Sequence, residues 1–281
     1  MRRWQVVGLA VLGALALACE GTGAAAPTTT GKPKAGMPAS MAALGDSITA
    51  AFGSCATLVA CGRDSWATGT STSVDSHYWR IRAANSKIDG RQHNYAVPGA
   101  RAADLTGQAA AAVKAKVEYV TILIGANDAC ASRVDWMTDI ATFRAQIDAG
   151  LAVLKKGLPK AHILVVSIPD LYRLWQLGHD DDHAVRAWKL LGTCPSLLAD
   201  PTSTAAADDN RRRQVADRID AYDRALSAAC KAYGKHCRSD HGAAHGVRFS
   251  LSLVNHLDYF HPDADGQRQL SQVTYPATFT W

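Results

Sequence analysis

The 281-residue chain has no Cys-x-x-Cys pair, no block of basic residues interleaved with aromatics, no nucleic-acid motif and no internal repeat. Its one long apolar run, Val6 to Ala18, falls short of the roughly 20 residues that a mature membrane-spanning helix needs. Each absence removes a class. Without paired Cys-x-x-Cys ligands, a structural zinc site on cysteine is excluded. Without a basic, aromatic-laced segment, the formal charge of +5 points to no nucleic-acid partner. What remains is 48% hydrophobic and 20% charged, the balance of a globular body with a sizeable core, sized for one domain.

Met1 to Ala18 has the layout of a secretory signal: Arg2-Arg3, the apolar run, then small residues. Leu15-Ala16-Leu17-Ala18-Cys19 resembles a bacterial lipobox, which makes Cys19 a candidate for lipidation. Ordinary cleavage after Ala18, or within Gly23 to Ala26, is the competing reading. The protein is expected to be exported, either secreted or held at the cell envelope by that lipid. Residues 19–39 are Gly, Ala, Thr, Pro and Lys with little to bury, and read as a disordered tether ahead of a domain spanning 40–281.

Seven cysteines leave one over, plausibly Cys19, and six that can pair in an oxidising compartment. Six cysteines allow fifteen pairings. Proximity along the chain suggests Cys55–Cys61 and Cys230–Cys237, leaving Cys130–Cys194 to close a long loop.

Along the domain, short apolar runs alternate with helical patterns. Met41 to Leu44, His93 to Val97, Val117 to Ile124, Ala161 to Ile168 and Val247 to Val254 read as strands. Ile48 to Phe52 can open a helix, and Ala102 to Lys116 is alanine-rich and helical. Ile140, Phe143, Ile147, Leu151 and Leu154 recur at steps of three and four, as do Val215, Ile219, Tyr222, Leu226 and Ala229. Tyr172 to Ala207 has no clean period and reads as a long connection with a helix near Ala184 to Leu191. Pro262 to Thr274 can close the fold with a helix. Mostly apolar strands alternating with helices indicate a parallel sheet covered on both faces.

In such sheets ligands gather beyond the carboxyl ends of the strands, and the turn clusters here fall there. Gly45-Asp46-Ser47 ends the first strand, Pro98-Gly99 the second, and Gly125-Ala126-Asn127-Asp128 the third; Asp258-Tyr259-Phe260-His261 follows near the end of the chain. This is an inventory for acyl transfer. Ser47 can attack, His261 can take and return its proton, and Asp258 can fix the imidazole tautomer from three residues upstream. The Ser47 N–H, the Gly99 N–H and the Asn127 amide are candidate donors to an oxyanion. Read alone, Asp46 or Ser47 as a helix cap would be the plainer assignment.

Gly45-Asp46-Ser47, Asn94-Tyr95-Ala96-Val97-Pro98-Gly99-Ala100, Gly125-Ala126-Asn127-Asp128 and Asp258-x-x-His261 together resemble the four blocks of the GDSL/SGNH hydrolases, in order across residues 44–262. The resemblance implies a flavodoxin-like three-layer α/β/α sandwich. It also implies an esterase with Ser47, His261 and Asp258 as triad, Ser47, Gly99 and Asn127 as oxyanion hole, and no metal or cofactor. Ser65-Trp66 and Ile124 to Cys130 bring the chain nearer the secreted bacterial lipases and phospholipase B-like members, and six pairable cysteines resemble the three-disulfide actinobacterial lipases. A lipid or phospholipid ester is then the expected substrate and a monomer the expected state. Carbohydrate O-acetylesterases share the same blocks, and a catalytically silent binding protein is the non-enzyme reading.

Other chemistry-bearing residues have blander readings. His179 and His183 bracket Asp180-Asp181-Asp182 in what reads as a solvated loop rather than a metal site. His236, His241 and His245 lie in a loop with nothing evident to orient them. His256 competes with His261 but has no carboxylate three residues upstream. Arg211-Arg212-Arg213 reads as the wet face of a helix start, and Trp66 and Trp79 as core more readily than acyl groove.

Overall fold

The computed structural model describes residues 36–281. The expected signal segment, Cys19 and nearly all of the tether lie outside the described residues. The last four tether residues do not: Asn85 donates to the Met37 and Pro38 carbonyls, and Ala39 N–H donates to Glu118. Residues 37–39 are therefore held against the domain.

Five strands form the sheet: β1 (Met41–Gly45), β2 (Gln92–Asn94), β3 (Tyr119–Leu123), β4 (His162–Val165) and β5 (Cys237–Ser239). All neighbours are parallel, in the order β2-β1-β3-β4-β5. The helices are α1 (His77–Ala84), α2 (Leu105–Lys114), α3 (Ala126–Ala129), α4 (Ile140–Gly157), α5 (Leu171–Gly178), α6 (Asp182–Leu191), α7 (Pro195–Leu198), α8 (Ala206–Tyr233) and α9 (Ala264–Thr274). Alternate strand residues feed two cores, as a pleated sheet requires. Ala42, Leu44, Val120 and Ile122 pack under α2, α4 and α8, whereas Met41, Ala43, Tyr119 and Leu123 pack under α1 and α9. The result is a three-layer α/β/α sandwich of flavodoxin-like strand order. Its topological switch point lies between β1 and β3.

Several local expectations are corrected. The stretch from Val247 to Val254 is not a strand: it is loop with one short 3₁₀ turn, its Val247, Phe249 and Val254 buried singly. The last strand is Cys237–Ser239, an edge strand of three residues with no apolar run to announce it. Ile48 to Phe52 makes no helix. It forms turns closed by Ala50 N–H to Asp46 and Phe52 N–H to Ser47, and Ala51 at φ 54° ends any helical course. Tyr172 to Ala207 holds, besides the expected helix near Ala184 to Leu191 (α6), two further helices, α5 and α7, whose packing against α8 substitutes for a regular period. Arg212 is not on a wet face; it is 1% exposed, its guanidinium 4.3 Å from the Trp175 ring centroid and donating to Ser203 O.

The structure joins Cys55 to Cys61, Cys130 to Cys194 and Cys230 to Cys237. Cys130–Cys194 spans 64 residues of sequence and fastens the turn after β3 to the start of α7. Trp66 is fully buried, with its indole N–H on Thr49.

Candidate active site

Ser47 stands two residues beyond β1, where Gly45 makes the turn possible. Gly45 has φ 150°, and a Cβ there would lie 2.1 Å from the Leu123 carbonyl oxygen, so only glycine lets β1 leave the sheet this close to β3. Gln108 of α2 holds the same peptide on its flank. Its amide donates to Gly45 O at 2.9 Å while its oxygen accepts from Gly45 N–H at 2.7 Å. Asp46 accepts from Ile48 N–H, and Asn94 and Gln267 donate to the Thr49 and Ile48 carbonyls. The serine turn is thus fixed from three sides by side-chain amides.

The partner turn follows the Val247–Val254 loop. Asn255 N–H donates to His261 O and Tyr259 N–H to Asn255 O, which closes a compact loop with Tyr259 at φ 50°. Asp258, 3% exposed, accepts from the Phe260 and His261 N–H groups through one oxygen. The other lies 2.7 Å from His261 Nδ1. His261 Nε2 lies 2.9 Å from Ser47 Oγ. Phe52 and Phe260 pack their rings against the imidazole, at centroid separations of 4.8 and 5.1 Å, and limit its swing. Trp188 of α6 donates its indole N–H to Tyr259 O and braces the loop from behind. With Nδ1 held by the carboxylate, Nε2 is left to accept the serine proton.

Gly99 lies in the loop after β2, at φ 84°, with no atom within 4 Å of where a Cβ would stand; its backbone is open to an approaching ligand. Asn127 opens α3 directly after β3, and its amide nitrogen donates to Ala100 O at 3.0 Å. Asp128 pulls the same two segments together by accepting from Ala102 N–H and Thr138 Oγ1. Both turns therefore converge on the serine end of the sheet.

Two buried carboxyls here carried no role in the sequence reading. Asp46 is fully buried and Oδ2 has no partner; burial pushes its pKa up to about 7, countered in part by the Ile48 N–H and by the His261 imidazole. Burial also raises Asp128, against the pull of its Ala102 and Thr138 bonds. Their signal was present in the motif blocks. What could not be seen was how deeply both are buried.

Beside Ser47 lies a narrow apolar pocket with a free volume of about 30 Å³, lined among others by Ile48, Leu171, Leu174, Phe249 and Phe260. Ile48 follows the serine and Phe260 precedes His261, so the pocket neighbours both turns of the site, although neither Ser47 nor His261 lines it. A larger cavity, about 490 Å³, lies elsewhere, along the free edge of β5.

The remaining histidines divide. His256 is exposed and stacks on Tyr259. His179 caps α5 and His183 opens α6, so they belong to two helices rather than a loop. His245 is oriented after all: Nδ1 lies 2.9 Å from Ile168 O and 3.1 Å from Asp223, and Asp223 chiefly lifts its pKa to about 9. The Cys55, Cys61 and Asp64 group offers no thiolate, since its cysteines are joined to each other.

A hydroxyl, an imidazole and a carboxylate in series at the carboxyl end of a doubly wound sheet describe an ester hydrolase. Sequence comparison narrows that class: residues 43–269 match the GDSL-like Lipase/Acylhydrolase family, and the chain belongs to it. Its fold is similar to that of the extracellular lipase from Streptomyces rimosus, at 20% identity and a TM-score of 0.50 over 85% of this chain and 99% of that one. TesA is similar at 18% identity and a TM-score of 0.50, over 84% and 96% of the two chains. No curated protein sequence matches the chain.

Proposed function

We propose that the protein is an exported serine esterase that hydrolyses lipid or phospholipid acyl esters. The observation that carries this reading is the unbroken line from Asp258 through His261 to Ser47, at 2.7 and 2.9 Å. Ser47 Oγ attacks the ester carbonyl as His261 Nε2 takes its proton. The tetrahedral oxyanion receives the Ser47 and Gly99 N–H groups and the Asn127 amide. His261 then protonates the departing alcohol, and water repeats the sequence on the acyl-enzyme. Asp258 holds the imidazole in place and stabilises the imidazolium.

The apolar pocket beside Ser47 supports an acyl group on that side of the carbonyl. At about 30 Å³ it takes the first carbons of a chain and leaves the remainder to the apolar rim. The same narrowness supports a second reading, hydrolysis of acetyl groups from carbohydrate. A panel of p-nitrophenyl esters, phospholipids and acetylated sugars separates the two. Labelling by a fluorophosphonate that Ser47→Ala or His261→Ala abolishes, with circular dichroism unchanged, is the expected result. Near-native turnover by a folded Ser47→Ala protein would remove the serine assignment, whereas a folded parent that neither turns over any ester of the panel nor takes the label would favour a silent binding protein.

A further inference from the structure

Among the described residues, the large apolar side chains that stand most exposed are unevenly placed. Single exposed apolar residues are ordinary on any surface, but a one-ended distribution is not. In a parallel sheet every connection leaving a strand starts at the same end of the molecule. Val97 follows β2, Val59 follows β1, Trp136 and Ile140 follow β3, Leu190 and Leu191 follow β4, and Leu257 follows β5. Val273, on α9, is the exception.

Hydrogen bonds tie these tips to the serine end. Gly53 N–H donates to Val59 O, and Asn255 of the histidine loop donates to Gly53 O. Val97 N–H donates to Gly45 O, and Leu257 N–H to Asn255. Thr138, just after Trp136, bonds Asp128. Trp188, two residues before Leu190, bonds Tyr259 O. At about 4.8 Å between strands, the tips are spread over roughly 20 Å across the sheet end. Trp136 and Leu190 are the most exposed of them, at 64% and 83%.

The lysines take the opposite end. Lys114, Lys155, Lys156 and Lys231 lie in the last turns of α2, α4 and α8, which run back toward the amino ends of the strands. Among the described residues Lys189 is the one lysine beside an apolar tip at the serine end.

We infer that the serine end of the molecule docks on the surface of a phospholipid bilayer, with Trp136 and Leu190, its most exposed apolar side chains, as anchors. Separate apolar tips around a reaction centre, a tryptophan among them, suit insertion among lipid headgroups better than a protein partner, which would need a continuous complementary face. The choice of lipid rests on the ester reading of the Ser47 site; the docking itself does not require turnover. The lysines face away, and the exposed Arg63 and Arg133 at the serine end are paired with Asp64 and Asp135, so insertion rather than charge holds the protein and salt has little effect on it.

Flotation of the chain without residues 1–19, so that neither the apolar leader nor a lipid on Cys19 contributes, with phosphatidylcholine vesicles tests this. Trp136→Ser combined with Leu190→Ser should lower the partition coefficient about tenfold at low and high salt alike. Val273→Ser should leave it unchanged, and hydrolysis of soluble p-nitrophenyl acetate should be the same in all three proteins. The inference is overturned if the parent protein stays in the aqueous phase, if the double variant floats as well as the parent, or if high salt abolishes binding. Flotation that depends on Trp136 and Leu190 without fluorophosphonate labelling of Ser47 would sink the ester reading and leave the docking standing.

Discussion

Asn127 donates its side-chain amide to the carbonyl of Ala100, 27 residues earlier in the chain, over 3.0 Å. One amide hydrogen is thereby committed to holding the Gly99 loop, and the other is left for substrate. Such a donor counts toward rate only where it binds the tetrahedral oxyanion better than the ester. Asn127→Ala is expected to lower kcat on the order of 10²-fold to 10³-fold with little change in KM. Loss of the Ala100 bond should also cost about 1 kcal/mol of stability. Steady-state kinetics and a melting curve on this one variant check both, and an unchanged kcat with a lowered melting point would leave Asn127 a purely structural clamp.

Asp46 makes stability depend on pH in an unusual direction. Its folded pKa, about 7, stands above the ordinary 3.8, so between those values the folded protein holds a proton that the unfolded chain has lost. Stability from this group therefore falls as pH rises through that window, and is lowest above pH 7. Asp46→Asn keeps an oxygen for Ile48 N–H and removes the buried charge. The variant should be more stable than the parent by a few kcal/mol at pH 8, and the gain should vanish toward pH 4. Denaturant melts across that range decide it; a pH-independent difference would show that Asp46 does not titrate.

The cystines should differ in weight. Closing a 64-residue loop restricts the unfolded chain by roughly 4 kcal/mol, against roughly 2 for the six-residue separation of Cys55–Cys61. Replacing Cys130 and Cys194 by serine should therefore lower stability about twice as much, and should also loosen the Asn127 turn. Denaturant midpoints of the two double variants, with kcat alongside, make the comparison.

Leu174 lines the pocket beside Ser47 from α5 and is 5% exposed. Leu174→Ala opens space where an acyl chain is proposed to lie, at a stability cost of about 2–5 kcal/mol. The ratio of kcat/KM for octanoate over acetate esters should rise several-fold. A parallel fall for both esters, with no change in ratio, would detach the pocket from substrate selection.

The strand-end turns were legible because the apolar runs of β1 and β3 stop at residues that favour turns, Gly45-Asp46 and Gly125, while polar β2 (Gln92–Asn94) was placed only by Pro98-Gly99 a few residues beyond it. The same rule missed β5, because Cys237-Arg238-Ser239 is a short edge strand whose pairing with β4 is set by the sheet rather than by its own side chains. Arg212 and His245 were misread for a related reason. Their surroundings come from distant segments, Trp175 and Ser203 for the one and Asp223 and Ile168 for the other, and no local spacing reports a contact of that range. Ile48 to Phe52 failed at a single backbone angle, the positive φ of Ala51, where nothing in alanine's chemistry announces it.

Ser47 and His261 are separated by 214 residues. The hydroxyl therefore enters the growing polypeptide long before the imidazole that lies beside it. On the proposed triad, until the Asn255–His261 loop has been made and has folded onto the Gly53 turn, the serine is an ordinary alcohol with no base at hand. A chain whose synthesis has not reached that loop, or one held unfolded by a chaperone, would then be harmless to any ester around it. Hydrolysis would be a property of the folded chain alone, and the first appearance of fluorophosphonate labelling during refolding would time the docking of the histidine loop.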